Sequence, residues 1–164
     1  MVPHDVEGLT ALMGGPDAMA AKLDSLFATP RQYDHASVQC LHIAHLYNYA
    51  GRSRRTQELV DSLLRKGYHG KFAAWHVLNA LGFYQVCPGK PVYSIGRPLI
   101  DRATLHLANG KDFVIEVHGN SPENRYISRI ALNGKPLTEP FFDHDAIMGG
   151  GTLEIYMSSV PAKN

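Results

Sequence analysis

The sequence has 164 residues, of which 45% are hydrophobic and 19% are charged, and its formal net charge is +1. This composition is that of a packed globular protein, and the charge gives no electrostatic reason to expect nucleic acid or an anionic membrane as a partner. No apolar run reaches the roughly 20 residues of a membrane-spanning helix, and the N-terminal sequence MVPHDVEG lacks the basic and apolar regions of a signal peptide. The compartment therefore stays open.

Apolar residues in the first half of the sequence recur at the spacing of amphipathic helices. Glycine and proline residues separate these helices, and Ser53 is a candidate N-cap. The predicted helices run from about Val6 to Gly14, from Pro16 to Thr29, from about Ser37 to Tyr49, from Ser53 to Lys66, and from Ala73 to Gly82. Because short connections favour antiparallel neighbours, residues 1–89 are predicted to form helical hairpins.

Residues 90–164 show the alternation of strands instead. Asn109-Gly110 and Asn133-Gly134 are strong signals for tight turns, and Asp143-His144-Asp145 is interpreted as a solvated turn. The predicted strands are Val92–Ile95, Thr104–Leu107, Phe113–Val117, Tyr126–Leu132 and a last one around Leu153–Tyr156. Short strands at this spacing predict a small antiparallel β-sandwich, so the predicted fold class is α+β.

The nine histidines raise the question of a metal site. His42 and His45 are three residues apart, so on a helix they share a face and can bind one ion. The spacing reveals no third ligand, although Asp34 and His35 lie just upstream. The alternative, which we favour, is that these histidines are polar residues lining a helix interface.

The other reactive or aromatic side chains belong to no recognised motif. The sequence contains no Ser nucleophile elbow, phosphate-binding loop, dinucleotide-binding glycine motif or Cys-rich zinc pattern. Cys40 and Cys87 are isolated, and we predict that they are buried thiols and not a disulfide. Trp75, Tyr47 and Tyr84 can offer aromatic stacking surfaces, and the alternative for all three is packing in the core.

Longer segments of the sequence are more informative. Four of them resemble the C-terminal end of glycoside hydrolase family 92, namely VPHDVEGLTALMGG, HIAHLYNYAGRSRRTQELV, AAWHVLNALGFYQVCPGKPVYSIGRPLIDRATLHLANGKDFVIEV and NSPENRYISRIALNGKPL. Members of this family are exo-acting, calcium-dependent α-mannosidases, commonly periplasmic or secreted. The resemblance implies that residues 1–89 supply the last hairpins of an (α/α)6 barrel and that residues 90–164 supply the strands after it. It also implies a mannose-containing glycan as partner.

The resemblance fails where the family builds its calcium and sugar site. The family typically reads Gly-Asn-Glu-Pro-Ser-His-His at the positions that residues 36–42 occupy here, and only His42 matches. Ser37 and Val38 stand in place of the Asn and the Glu. Calcium is therefore implied by the family, but its usual ligands are replaced in this sequence, and no metal ligand is assigned.

The two catalytic carboxyl groups of the family also lack counterparts in the sequence. The loop that carries the catalytic base is missing before Trp75, where residues 69–71 offer no carboxylate, and the family's general acid lies in a segment that would precede VPHD. Inverting glycosidases place the two carboxyl groups about 6.5–9.5 Å apart. We therefore expect the chain to be inactive alone, assign no catalytic residue, and keep His42 and Trp75 as candidate substrate-binding residues.

Two other expectations follow. The alternative function is that of a non-catalytic module that binds a carbohydrate or a protein. The few predicted helices cannot close a six-hairpin barrel, and an open barrel edge exposes apolar side chains. The sequence therefore predicts self-association or a partner chain at that edge.

Overall fold

The structure is a computed structural model that describes residues 4–66 and 73–162. Its first part is helical, its second part consists mainly of strands, and the α+β fold class is confirmed. The helices are α1 (Val6–Leu12), α2 (Pro16–Ala28), α3 (Leu46–Tyr49), α4 (Ser53–Arg65), α5 (Ala73–Leu81) and α6 (His144–Gly149). None of the helices in these ranges is both long and apolar enough to cross a membrane.

The helix boundaries agree with most of the local signals in the sequence. The backbone N–H of Gly8 donates to the Asp5 carboxylate at 2.9 Å at the start of α1, and Pro16 occupies the first turn of α2. The prediction that Ser53 is the N-cap of α4 is wrong, because Arg52 occupies the N-cap position. The Arg52 N–H donates to the Tyr47 carbonyl at 2.8 Å as the chain leaves α3, which places Ser53 inside the next helix.

The predicted helix from Ser37 to Tyr49 is wrong as a continuous α-helix. The chain forms two short 3-10 turns, Val38–Cys40 and Ile43–His45, before α3. In an α-helix the N–H of His45 would donate to the carbonyl of Leu41. That carbonyl instead accepts the indole N–H of Trp75 at 2.8 Å, and the His45 N–H turns to His42.

Two β-sheets form the second part of the chain. The strands are β1 (Phe83–Tyr84), β2 (Val92–Ile95), β3 (Arg102–His106), β4 (Asp112–His118), β5 (Tyr126–Leu132), β6 (Lys135–Pro136), β7 (Phe141–Asp143) and β8 (Gly151–Ser158). One sheet has three antiparallel strands in the order β1-β2-β7, and the other has five strands in the order β3-β4-β8-β5-β6.

The prediction of a wholly antiparallel sandwich is wrong at one pair. Strands β4 and β8 run parallel, with Ile115 opposite Leu153. Parallel neighbours require a long crossover, and here β5, β6, β7 and α6 lie between them in the sequence. The short elements β6, β7 and α6 were not predicted, and Asp143-His144-Asp145 forms the end of β7 and the start of α6 instead of a turn.

A shared apolar core joins the two sheets to each other and to α5. Phe83, Phe113 and Phe142 are all buried in it, and Leu78 and Leu81 of α5 pack against it. Strand β1 precedes residue 89 and pairs with β2 after it, so one sheet spans the predicted domain division, which stays a prediction. Both cysteines are free, and Cys87 is buried.

Candidate functional site

The candidate site lies where the connection between α2 and α3 meets the start of α5. Trp75 sits in the first turns of α5 with 3% of its surface exposed. Its indole N–H donates to the carbonyl of Leu41, the residue before His42. The ring of His35 meets the indole edge-on, with 4.3 Å between ring centroids. The fold therefore brings the two predicted substrate-binding residues, His42 and Trp75, to the same place.

His42 lies between the two 3-10 turns, and its ring is half-buried. Its Nε2 atom is buried and has no hydrogen-bond partner among the residues that the structure describes. Burial lowers the pKa of His42, so its imidazole is neutral at pH 7. A neutral imidazole can donate one hydrogen bond and accept another, which suits a sugar hydroxyl.

A cleft of about 490 Å³ opens between α2 and α4, and it meets this cluster through Tyr33, which contacts His35. Phe27 and Tyr33 line it with ring centroids 4.5 Å apart, and the Tyr33 hydroxyl lies 2.8 Å from Nδ1 of His35. Its polar lining comes from Asp24, Thr29, Arg31, Arg55, Ser62 and Lys66. Aromatic faces next to hydroxyl, carboxylate and guanidinium groups are typical of clefts that bind small polar ligands. Phe27 and Tyr33 were not predicted as site residues.

His45 belongs to a different, fully buried hydrogen-bond chain. Its Nε2 lies 2.7 Å from Oδ1 of Asn79, and its Nδ1 lies 3.0 Å from Oγ of Ser94. Because the Asn79 oxygen only accepts, Nε2 of His45 donates and Nδ1 accepts the Ser94 hydroxyl, an assignment that follows from the network. Asn48 in turn donates to Oγ of Ser94 at 2.7 Å.

The contacts in this hydrogen-bond network resemble those of a Ser–His–Asn triad, but the network offers no accessible nucleophile. His45 is fully buried, and Ser94 and Asn79 are each 1% exposed. Burial lowers the pKa of His45 to about 4, and the hydrogen bond to Asn79 offsets only part of that effect. The network therefore stabilises the packing of α3 and α5 against β2, in agreement with the interpretation of His45 as a residue of a helix interface.

The two best-anchored carboxylates of the described helices are held by arginines. Glu58 accepts from Arg54 and Arg55 at 2.9 Å each. Burial alone would raise the pKa of Glu58, but the hydrogen bonds from Arg54, Arg55 and Tyr126 outweigh it and lower the pKa. Asp61 is fully buried and lies within 2.9–3.3 Å of the Nε atoms of Arg65, Arg97 and Arg125. The contacts of Glu58 favour its ionised form, whereas a general acid must hold a proton.

The donor set near His42 does not fit calcium. Calcium takes six to eight oxygen ligands, mostly carboxylate and carbonyl groups. Ser37 is half-buried, and Val38 is an apolar side chain that is 69% exposed. Among residues 4–66 and 73–162, no three His, Cys, Asp or Glu side chains come together as a metal-binding group. Residues 69–71, where the sequence offers no replacement for the catalytic base, lie outside the described residues.

Known proteins resemble this chain in sequence and in fold. The family model described as the glycosyl hydrolase family 92 catalytic domain matches residues 1–159. An uncharacterized secreted glycosidase of Arthroderma benhamiae is 30% identical over an alignment of 169 residues, which covers 94% of this chain and 22% of the relative.

Solved structures extend the comparison. A family GH92 inverting mannosidase from Bacteroides thetaiotaomicron superposes with a TM-score of 0.90 at 36% identity, over 98% of this chain and 26% of that one. A GH92 α-mannosidase of the same bacterium in complex with mannoimidazole gives a TM-score of 0.88 at 28% identity, over 98% and 24% of the two chains. This chain thus spans about a quarter of the length of the relatives it matches. It belongs to glycoside hydrolase family 92 and corresponds to the C-terminal part of the family's proteins.

Proposed function

We propose that this chain contributes the C-terminal part of a catalytic domain that hydrolyses α-mannosidic bonds in glycans. The match of residues 1–159 to the catalytic-domain family is the observation that carries this proposal. The mannosidase activity named for its solved relatives supports the substrate class. In this proposal, the helices α1 to α5 are the last hairpins of an (α/α)6 barrel.

We place the contribution of this chain to sugar binding at His42 and the neighbouring cleft. In this proposal, Nε2 of His42, a buried atom without a hydrogen-bond partner among the described residues, pairs with a sugar hydroxyl. Trp75 is buried, so its role is to position: its indole N–H holds the carbonyl of Leu41 and thereby the turn that carries His42. Phe27 and Tyr33 provide the aromatic wall of the cleft.

We further propose that the chain alone does not hydrolyse a mannoside. An inverting mechanism needs a protonated acid and a second carboxylate that activates water. Glu58 and Asp61 are held by arginines and do not line the cleft between α2 and α4. Asp24 is the single carboxylate among the described residues that line this cleft, where it accepts from the Tyr47 hydroxyl at 2.7 Å. Because the donor set near His42 does not fit calcium, no step is assigned to that ion in this chain.

A partner for the helical part is a related proposal. Val38 and Val77 are 69% and 55% exposed, and α5 is apolar on most of its surface. Exposed apolar side chains on a helix favour association with another polypeptide or with a second copy. Light scattering of the purified chain tests this, since a monomer at every concentration contradicts self-association.

The proposal is tested by assaying the purified chain for hydrolysis of an α-mannobiose, with and without calcium. In parallel, the fluorescence of Trp75, the single tryptophan of the chain, is followed during titration with mannose and with mannoimidazole. We expect no hydrolysis and a saturable change in fluorescence that is lost in His42→Ala and kept in His4→Ala, a substitution at an exposed histidine.

Each outcome separates the alternatives. Calcium-dependent release of mannose would show that unidentified carboxylates are active and would contradict the inactivity of the chain. Binding without turnover is also what a non-catalytic carbohydrate-binding module would give, and recovery of activity after mixing with the remaining part of a family 92 relative then distinguishes the two. Absence of binding would contradict a sugar-binding role for His42.

A further inference from the structure

One buried carboxylate holds three arginines from different parts of the chain. Asp61 lies on α4, with its side chain 1% exposed. Its Oδ1 accepts from Nε of Arg65 at 2.9 Å and lies 3.3 Å from Nε of Arg97, and its Oδ2 accepts from Nε of Arg125 at 3.2 Å. A single carboxylate balances one guanidinium, so this arrangement leaves positive charge in excess.

The three arginines differ in what remains free. The Nη atoms of Arg97 donate to the carbonyl of Pro98 at 2.7 Å and to Asn120 and Ser121 at 3.1 Å, and its side chain is 3% exposed. Arg65 and Arg125 are about half-exposed and contact Asp61 through Nε. Their terminal Nη atoms have no partner within the described part of the chain. The buried carboxylate therefore fixes two guanidinium groups and leaves their ends available.

Arg65 and Arg125 line an open cleft of about 360 Å³ between α4 and the loop that precedes β5. The other lining side chains are Ser62, Lys66, Pro122 and Asp61 itself. Glu123 is an exposed carboxylate whose pKa is lowered mainly by a hydrogen bond from Ser121 and, to a smaller extent, by the positive charge of Arg65. Four cationic side chains thus face two carboxylates, and the cationic ones are Arg65, Lys66, Arg97 and Arg125.

The local electrostatics agree with an excess of positive charge. Burial lowers the pKa of Arg97, the attraction of Asp61 opposes this, and the repulsion of Arg65 and Arg125 adds to the lowering. Two guanidinium groups with free ends, near an ammonium and a hydroxyl, are donors of the kind that bind phosphate and sulfate oxygens. A bound anion would neutralise the positive charge of the arginines that Asp61 does not compensate.

We propose that Arg65 and Arg125, with Lys66 and Ser62, form a binding site for a phosphate or sulfate group. The anion accepts hydrogen bonds from the guanidinium ends and from the Ser62 hydroxyl, and Lys66 adds charge. This site is separate from His42, and it requires neither sugar binding at His42 nor hydrolysis. Phosphate or sulfate can come from solution or from a group carried on a larger ligand, and the chemistry of recognition is shared.

Isothermal titration calorimetry tests the site with inorganic phosphate, sulfate and glucose 6-phosphate, at an ionic strength held constant with chloride. We expect saturable binding of phosphate and sulfate, and a loss of about tenfold or more in affinity in Arg65→Gln and in Arg125→Gln, because each removes charge-assisted hydrogen bonds. Arg125→Lys keeps the charge without the planar fork and should lose affinity by a smaller factor. Circular dichroism confirms that each variant is folded.

Arg54→Gln is the matched control, since it removes the same charge from the same helix at a position outside the cleft. An equal loss of affinity in Arg54→Gln would show general screening and would overturn the site. No saturable heat with any of the three ligands would also overturn it. Tighter binding of glucose 6-phosphate than of phosphate would identify a group carried on a sugar, and equal binding would identify a free oxyanion.

Discussion

The side chain of Gln57 on α4 accepts the backbone N–H of Ile127 in β5 at 3.0 Å, across the contact between helices and strands. This N–H lies where the pairing of β5 with β8 is irregular, between Ile127 and Arg129. The two residues before Ile127 also meet α4, since Tyr126 donates to Glu58 at 3.2 Å and Arg125 to Asp61. Arg125, which directly precedes β5, and the first two residues of that strand are thus held by acceptors on one helix.

Replacing Gln57 by Met tests the first of these contacts. Gln57 is 7% exposed, and Met has a similar volume without the acceptor. The N–H of Ile127 would then be buried without a partner, which costs about 1–3 kcal/mol in the free energy of unfolding. Urea denaturation measures this difference. Gln32→Met, at an exposed position, is the control, and equal stability of the two variants would contradict the role of Gln57.

Replacing Asp61 by Asn should destabilise the chain more strongly. The substitution keeps the shape of the side chain but leaves Arg97, 3% exposed, without its compensating charge. Loss of one partner of a buried ion pair costs about 3–5 kcal/mol. The measurement is the same denaturation midpoint, compared with Asp17→Asn. Asp17 forms an exposed pair with Arg52, so its variant should stay close to the parent protein.

The buried His45 predicts how stability depends on pH. Its pKa is about 4 in the folded state and 6.5 in the reference state, so the unfolded chain binds more protons between these values. Stability therefore falls as the pH is lowered from 7 to 5, by about 2 kcal/mol from this residue. His42 adds to the fall, since its pKa is also lowered. Glu58 acts at lower pH, where its lowered pKa makes stability decrease further on protonation.

His45→Gln should remove the larger share of this dependence, because Gln carries no titrating group. Urea denaturation at pH 7, 6 and 5 gives the slope of stability against pH for each variant. His4→Gln, at an exposed histidine, serves as the control. If His4→Gln flattens the slope as much as His45→Gln does, the assignment of the dependence to His45 fails.

Local signals predicted much of the strand-rich part. At Asn133-Gly134 both residues have positive φ, +51° and +76°, as the tight turn between β5 and β6 requires. Alternation located β4, since Phe113, Ile115 and Val117 all face the core. These features depend on neighbours in the sequence, so short windows are sufficient to reveal them.

Features that depend on residues distant in the sequence could not be predicted from such short windows. The 3-10 geometry before α3 depends on Trp75, which is 34 residues from Leu41. His45 acquires its partners from residues 34 and 49 positions away. In the candidate site, resemblance to the family selected His42, whereas Phe27 and Tyr33 become neighbours through the packing of α2 and the following loop. Periodicity carries no signal for such pairs.

Gly82, which ends α5 and leads into β1, provides a test of how closely the two parts of the chain approach each other. It has φ of +101°, and a Cβ atom there would lie 3.1 Å from Pro98 and 3.2 Å from Ile155. Gly89 has a similar φ of +109° but no atom within 4 Å of such a Cβ. Backbone strain lowers the free energy of unfolding of both alanine variants. In Gly82→Ala, overpacking against Pro98 and Ile155 lowers it further, by about 1–3 kcal/mol. The free energies of unfolding of the two variants should therefore differ by that amount. Equal values would mean that Pro98 and Ile155 move aside at no cost, and that the contact between α5 and the sheets is looser than the structure indicates.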